Sequence, residues 1–126
     1  MLEIKDVLSI HERLIQEFGG ASGLKDKPLL ESAISRPFQT FDGKDLYQTP
    51  EEKASALLES ILINHPFVDG NKRTGYTLFR LILLSSNMDI DATEDDKYDM
   101  VISVAEGKTD YAKILEWTRK RIKPVW

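Results

Sequence analysis

The chain has 126 residues, 41% of them hydrophobic and 30% charged, the balance of an ordinary globular domain long enough to build its own core. It contains no cysteine, which excludes disulfide frameworks, cysteine-based zinc sites and thiolate nucleophiles. The formal net charge of −4 gives no global attraction to nucleic acid or anionic membrane, so only a local basic cluster could hold a phosphate group.

The first residues, Met1 to Asp6, alternate charged and apolar side chains and do not read as a signal peptide. From Val7 the pattern is helical. Val7, Ile10, His11, Leu14 and Phe18 recur at three- and four-residue spacing, and Gly19-Gly20 stops the helix. Asp26 is suited to cap a short second helix with Leu29, Leu30, Ala33 and Ile34 inward, ended by Pro37. Phe38 to Tyr47 reads as a small hairpin flap around Asp42-Gly43, a strong two-residue turn signal.

Thr49-Pro50-Glu51-Glu52 opens a third helix with a cap, a proline at the first helical position and two acids at the positive end of the dipole. Its apolar stripe is Ala54, Leu57, Leu58, Ile61 and Leu62. A loop at His65 to Gly70 leads into a fourth helix over Asn71 to Ser86. That helix is expected at the centre of the fold, because only Arg80 is polar between Leu78 and Leu84. The same run is too short to span a membrane. Asp89 to Glu94 reads as a polar connector, followed by helices over Asp95 to Glu106 and Tyr111 to Lys120. The expected fold is all-α, a compact bundle of about six helices with one β-hairpin flap, in a single cytoplasmic domain over residues 1–126.

Two segments imitate phosphate and calcium sites. Gly107-Lys108-Thr109 ends like a P-loop, but Ile102 stands where the motif needs its first glycine. Asp89 to Thr93 begins like a calcium loop, but Glu94 replaces the glycine at its sixth position and Met100 the glutamate at its twelfth.

The stretch that carries chemistry is His65-Pro66-Phe67-Val68-Asp69-Gly70-Asn71-Lys72-Arg73-Thr74-Gly75. Singly, these residues have ordinary explanations: a surface histidine, a core phenylalanine, a turn and a helix cap. Together they are harder to explain by stability alone. Lys72 and Arg73 lie in the first turn of a helix, where the dipole disfavours cations by roughly 0.3–1 kcal/mol each. The arrangement makes sense if an anion sits there, held by free backbone N–H groups and both cations, with Gly70 allowing close approach. Asp69 could then hold magnesium beside bound phosphates. His65, with an ordinary pKa near neutrality, could take a proton from an attacking hydroxyl. This combination describes a phosphoryl- or nucleotidyl-transfer site.

The same residues resemble the Fic/Doc superfamily signature H-x-F-x-[D/E]-[G/A]-N-[G/K]-R in order. Gly23 to Asp26 with Leu29 to Ala33 resembles its N-terminal region, and the helix ending Glu116-Trp117 resembles its C-terminal one. The short length and the helix-flap-helix order resemble the Doc ("death on curing") branch, the toxins of toxin–antitoxin pairs. The resemblance implies His65 as catalytic base, Asp69 as magnesium ligand and Phe67 as loop anchor. Gly70, Asn71, Lys72, Arg73 and Thr74 would serve the phosphates of ATP. Thr40, Phe41, Asp42, Gly43, Lys44, Asp45 and Leu46 would form a flap that docks the protein target as an added strand.

Two positions separate this chain from AMP-transferring relatives. Lys72 stands where they usually carry glycine, and Tyr76 where they carry a second arginine. Doc-like proteins with lysine here resemble kinases that move the γ-phosphate of ATP to elongation factor Tu, so phosphate transfer is favoured over AMP transfer, with a non-catalytic module a weaker third reading. The family's inhibitory motif [S/T]-x-x-x-E-[G/N] is incomplete, because Ile102 precedes Glu106-Gly107 by the spacing that needs Ser or Thr. Inhibition is therefore expected from a separate antitoxin protein. A DNA-binding role is disfavoured by the acidic balance and the lack of a basic recognition helix.

Overall fold

Local sequence signals set most element boundaries in the computed structural model, which describes residues 2–125. The first helix, α1 (Ile4–Phe18), ends at Gly19, whose N–H bonds to the Ile15 carbonyl at 2.8 Å. Helix α2 (Lys27–Ser35) is capped by Asp26, whose carboxylate accepts from the Leu29 N–H at 3.0 Å. A 3₁₀ turn at Arg36–Phe38 leads to the flap, β1 (Thr40–Phe41) and β2 (Lys44–Asp45), paired antiparallel. Asp42 and Gly43 both have positive φ, 52° and 75°, as a two-residue hairpin turn requires.

Helix α3 (Pro50–Asn64) starts with the full capping box. The Thr49 hydroxyl accepts from the Glu52 N–H, and the Glu52 carboxylate accepts from the Thr49 N–H, each at 3.2 Å. Helix α4 (Asn71–Leu84) packs against α3 more extensively than any other pair of elements. Gly75 makes this possible: a Cβ there would stand 3.2 Å from Ile61 Cγ2 and 3.4 Å from Leu58 Cδ1. The chain continues through β3 (Met88–Ile90), α5 (Glu94–Ala105), α6 (Tyr111–Arg119) and β4 (Ile122–Pro124). Six helices and the predicted hairpin are all present.

Three expectations need correction. The segment expected as a polar connector from Asp89 contributes instead to strand β3, which pairs antiparallel with β4 in the register Met88↔Pro124, Asp89↔Lys123 and Ile90↔Ile122. Asp89 is drawn out of solvent by Arg80, whose guanidinium donates to both carboxylate oxygens at 3.0 and 2.8 Å. Secondly, α3 rather than α4 is the most enclosed helix. The whole expected stripe of α3 is buried, together with Ser55, Ala56 and Ser60, and α2, α4, α5 and α6 all pack against it. On α4, Arg80 and Leu81 face solvent, so the near-apolar run is one-sided. Burying Leu57, Leu58, Ile61 and Leu62 completely stabilises the fold by about 1.5–3 kcal/mol each before entropy is subtracted. Thirdly, α1 buries Val7, His11 and Ile15, leaving Phe18 exposed. Among the described residues no helix is long and apolar enough to cross a membrane.

Candidate active site

Helix α3 ends at His65, a non-glycine residue in the left-handed region (φ 47°, ψ 59°), whose N–H closes the last turn on the Ile61 carbonyl at 3.1 Å. Pro66 prevents the helix from continuing, so the half-buried His65 is presented at a sharp corner. The loop that follows is fastened to the segment before α2. The Pro66 carbonyl accepts from the N–H groups of Lys25 and Asp26, and the Val68 N–H donates to the Gly23 carbonyl at 3.1 Å. Leu24 and Phe67 form an antiparallel bridge between these bonds.

Phe67 is buried and its backbone is held by Asn71. The Phe67 N–H donates to Asn71 Oδ1, and Asn71 Nδ2 donates to the Phe67 carbonyl, both at 3.0 Å. The Asn71 side chain therefore braces the loop from inside, and its backbone N–H is free for a ligand. Gly70, with φ 75°, starts α4 without a side-chain cap. The first intrahelical bond is Thr74 N–H to the Gly70 carbonyl, so the N–H groups of Asn71, Lys72 and Arg73 have no acceptor among the described residues. Three free N–H groups at the positive end of a fourteen-residue helix form an anion seat, with the exposed Lys72 and Arg73 beside it.

Asp69 adjoins the seat. Its Oδ1 accepts from the Gly70 N–H at 2.8 Å and its Oδ2 from the Ala21 N–H at 3.1 Å. These two bonds, helped by Lys72, hold its carboxyl below the usual carboxylate range, so it is ionised near neutral pH. Each oxygen keeps a free lone pair, and among the described residues there is no cluster of three or more His, Cys, Asp or Glu able to cage a cation. One ionised carboxylate next to an anion seat fits magnesium, which binds through one or two carboxylates plus phosphate oxygens, and does not fit a metal needing an all-protein cage.

His65, Asp69, Gly70, Asn71, Lys72 and Arg73 line a single cleft of about 390 Å³, whose other wall is Val68 with Tyr98 and Ile102 of α5. Thr74 is not brought to this cleft: its side chain is fully buried and its hydroxyl has no partner, because the fourth residue of the helix points into the core. The flap residues Thr40 to Leu46 are exposed and do not line it either. Tyr76 is half-buried on the same helix. Burial is the largest influence on its hydroxyl, which is pushed up to about 12, so it stays protonated and brings no positive charge to a phosphate. A second cleft of about 300 Å³ continues from the first, sharing Lys72, Arg73, Tyr98 and Ile102 and including Tyr76.

Sequence reasoning missed four contributors. Phe18 offers its exposed ring to Arg73, whose guanidinium carbon lies 4.3 Å from the ring centroid. Gly20, read only as a helix stop, has φ 114°, and a Cβ there would come within 2.8 Å of Asp69 Oδ2. Buried His11 stacks on Phe67, and Tyr98 supplies the opposite wall. Each lies more than 20 positions from the motif or gains its role through tertiary contact, so no local spacing reveals it. The double glycine was the one available signal, since a single glycine suffices to end a helix.

A family model described as the Fic/DOC family matches residues 1–83. A protein of Mycolicibacterium smegmatis named Toxin Doc is 40% identical over 84 residues, covering 62% of this chain and 65% of the relative. The chain thus spans just under two thirds of that relative's length.

Proposed function

The chain belongs to the Fic/DOC family, and from that premise we propose that it moves the γ-phosphate of ATP onto a Ser or Thr hydroxyl of a protein, as the toxin of a toxin–antitoxin pair. The observation that carries this reading is the convergence in one cleft of His65, Asp69, three unpaired helix N–H groups and two cations. In the proposed reaction His65 takes the proton of the attacking hydroxyl. The hydroxyl oxygen bonds to the γ-phosphorus, the bond from that phosphorus to the β–γ bridging oxygen breaks, and ADP departs. The N–H groups of Asn71, Lys72 and Arg73, with both cationic side chains, bear the charge of the transferred group. Asp69 would hold magnesium, which when bound neutralises phosphate charge and orients the oxygens.

Lys72 and the neutral Tyr76 favour phosphate over AMP transfer. The lysine occupies space that glycine would leave, and the tyrosine provides no second cationic clamp. The relative's name supports the toxin reading. By resemblance the target is a translation factor such as elongation factor Tu, and modification would inhibit translation. The flap would dock the target, and a separately encoded antitoxin would restrain the enzyme.

The purified protein, magnesium and a cell lysate are incubated with ATP labelled at either the α or the γ position. Protein-bound label from the γ position alone is expected. Label from the α position alone would overturn the kinase assignment in favour of AMP transfer.

A further inference from the structure

Resting on the phosphate-site reading, we infer that His11 is a positioning residue that fixes the orientation of the Asp69–Gly70 peptide and so keeps the anion seat open. His11 lies on α1, 58 positions before Asp69, and is only 3% exposed. Its ring is parallel to that of Phe67, with centroids 3.8 Å apart and planes 6° from parallel. Its Nε2 lies 2.7 Å from the Asp69 carbonyl oxygen. A carbonyl can only accept, so Nε2 carries the proton and donates.

This bond has a geometric consequence. In a trans peptide the carbonyl and the N–H of one unit point in opposite directions. Holding the Asp69 carbonyl against α1 therefore turns the Gly70 N–H the other way, onto Asp69 Oδ1 at 2.8 Å. Without the His11 donor nothing among the described residues pairs with that carbonyl. Gly70, which tolerates either sign of φ, would then offer little resistance to rotation of the peptide plane. Rotation would bring a carbonyl oxygen toward the helix N-terminus, where it repels an anion, and would release the Asp69 carboxylate from the Gly70 N–H.

The bed that holds this peptide is closely fitted. A Cβ at Gly70 would come 3.0 Å from Ile15 Cδ1 and 3.5 Å from His11 Nε2, and the Ala21 N–H completes the grip on Asp69 at 3.1 Å. Carbonyl and carboxylate of one residue are thus gripped by α1 and the segment just after it, while the neighbouring Phe67 is stacked by the same histidine.

Two substitutions separate positioning from packing. His11→Phe keeps an aromatic ring on Phe67 and removes the donor. His11→Gln keeps an N–H donor and removes the ring. Binding of inorganic pyrophosphate with magnesium is followed by the amide resonances of Asn71, Lys72 and Arg73, alongside thermal unfolding and the hydrogen exchange of the Gly70 amide. His11→Phe should weaken pyrophosphate about tenfold, the scale of one lost hydrogen bond, and deprotect the Gly70 amide. His11→Gln should stay within about threefold of the unaltered protein.

Equal affinity in His11→Phe and the unaltered protein would overturn the inference. So would a loss in His11→Gln as large as in His11→Phe that merely followed a drop in melting temperature. No response to pyrophosphate in the unaltered protein would overturn the phosphate-site reading itself, and this inference with it.

Discussion

The Asn71 amide and the Phe67 peptide form a closed pair in which each polar group has its partner. Removing one side leaves a buried N–H and a buried carbonyl unpaired, each costing about 1–3 kcal/mol. Asn71→Ala should therefore lower stability by about 2–4 kcal/mol in urea unfolding, on the same basis. Asn71→Asp should recover part of it, since a carboxylate still accepts from the Phe67 N–H. Equal loss in both variants would show that the bond to the Phe67 N–H contributes little.

Gly20 and Gly107 make a matched comparison. Both have positive φ, 114° and 78°, but only at Gly20 would a Cβ collide with a site residue; at Gly107 there is open space. Alanine at either position should cost about 1–3 kcal/mol of backbone strain. Only Gly20→Ala should also weaken the magnesium dependence of transfer, through displaced Asp69. Similar magnesium titrations for the two variants would contradict the proposed role of Gly20 beneath Asp69.

At the scale of elements, part of the acid response of the fold belongs to the junction of α4 and β3. The hydrogen bonds from Arg80 hold the Asp89 carboxyl below its usual range, with a smaller contribution from the Ile90 N–H. The folded value lies below the unfolded one near 3.9. The stabilisation is therefore present above about pH 3.9 and is lost as pH falls through the folded value. Arg80 is half exposed, so solvent screening keeps the effect modest. Arg80→Met should shrink the difference between urea midpoints measured at pH 7 and pH 3; an unchanged difference would assign acid sensitivity elsewhere.

The same junction marks where sequence patterns lose their force. Helices announce themselves through caps and 3.6-residue spacing, as Asp26, Thr49-Pro50 and Glu52 do, and the flap through Asp42-Gly43. Strands β3 and β4 have three residues each, too few for alternation, and meet across the whole of α5 and α6. Pro124 argues against a strand unless the strand is at an edge, as β4 is. Non-local pairing of such short segments leaves no local trace.

Across the whole molecule, the cleft joins parts that the chain keeps far apart. The motif supplies one wall, α1 and its glycine exit supply the bed, and α5 supplies Tyr98 and Ile102 opposite. The family match covers the first two and stops at residue 83, before α5 begins. The motif was legible because its residues are consecutive and its cations sit at the wrong end of a helix for stability alone. Its support was not, because His11, Phe18 and Gly20 look like an ordinary amphipathic helix and its stop. Thr74 shows the opposite failure, a residue adjacent to the motif whose side chain the helical turn directs inward.

In the proposed phosphate transfer from this cleft, His65 serves as the base. This role is tested by comparing the unaltered protein with His65→Ala, using γ-labelled ATP, magnesium and lysate, after circular dichroism has shown equal helix content. Labelled protein is expected with the former and loss of label by at least about a hundredfold with the latter, the lower range for a general base. Undiminished labelling by His65→Ala would contradict it.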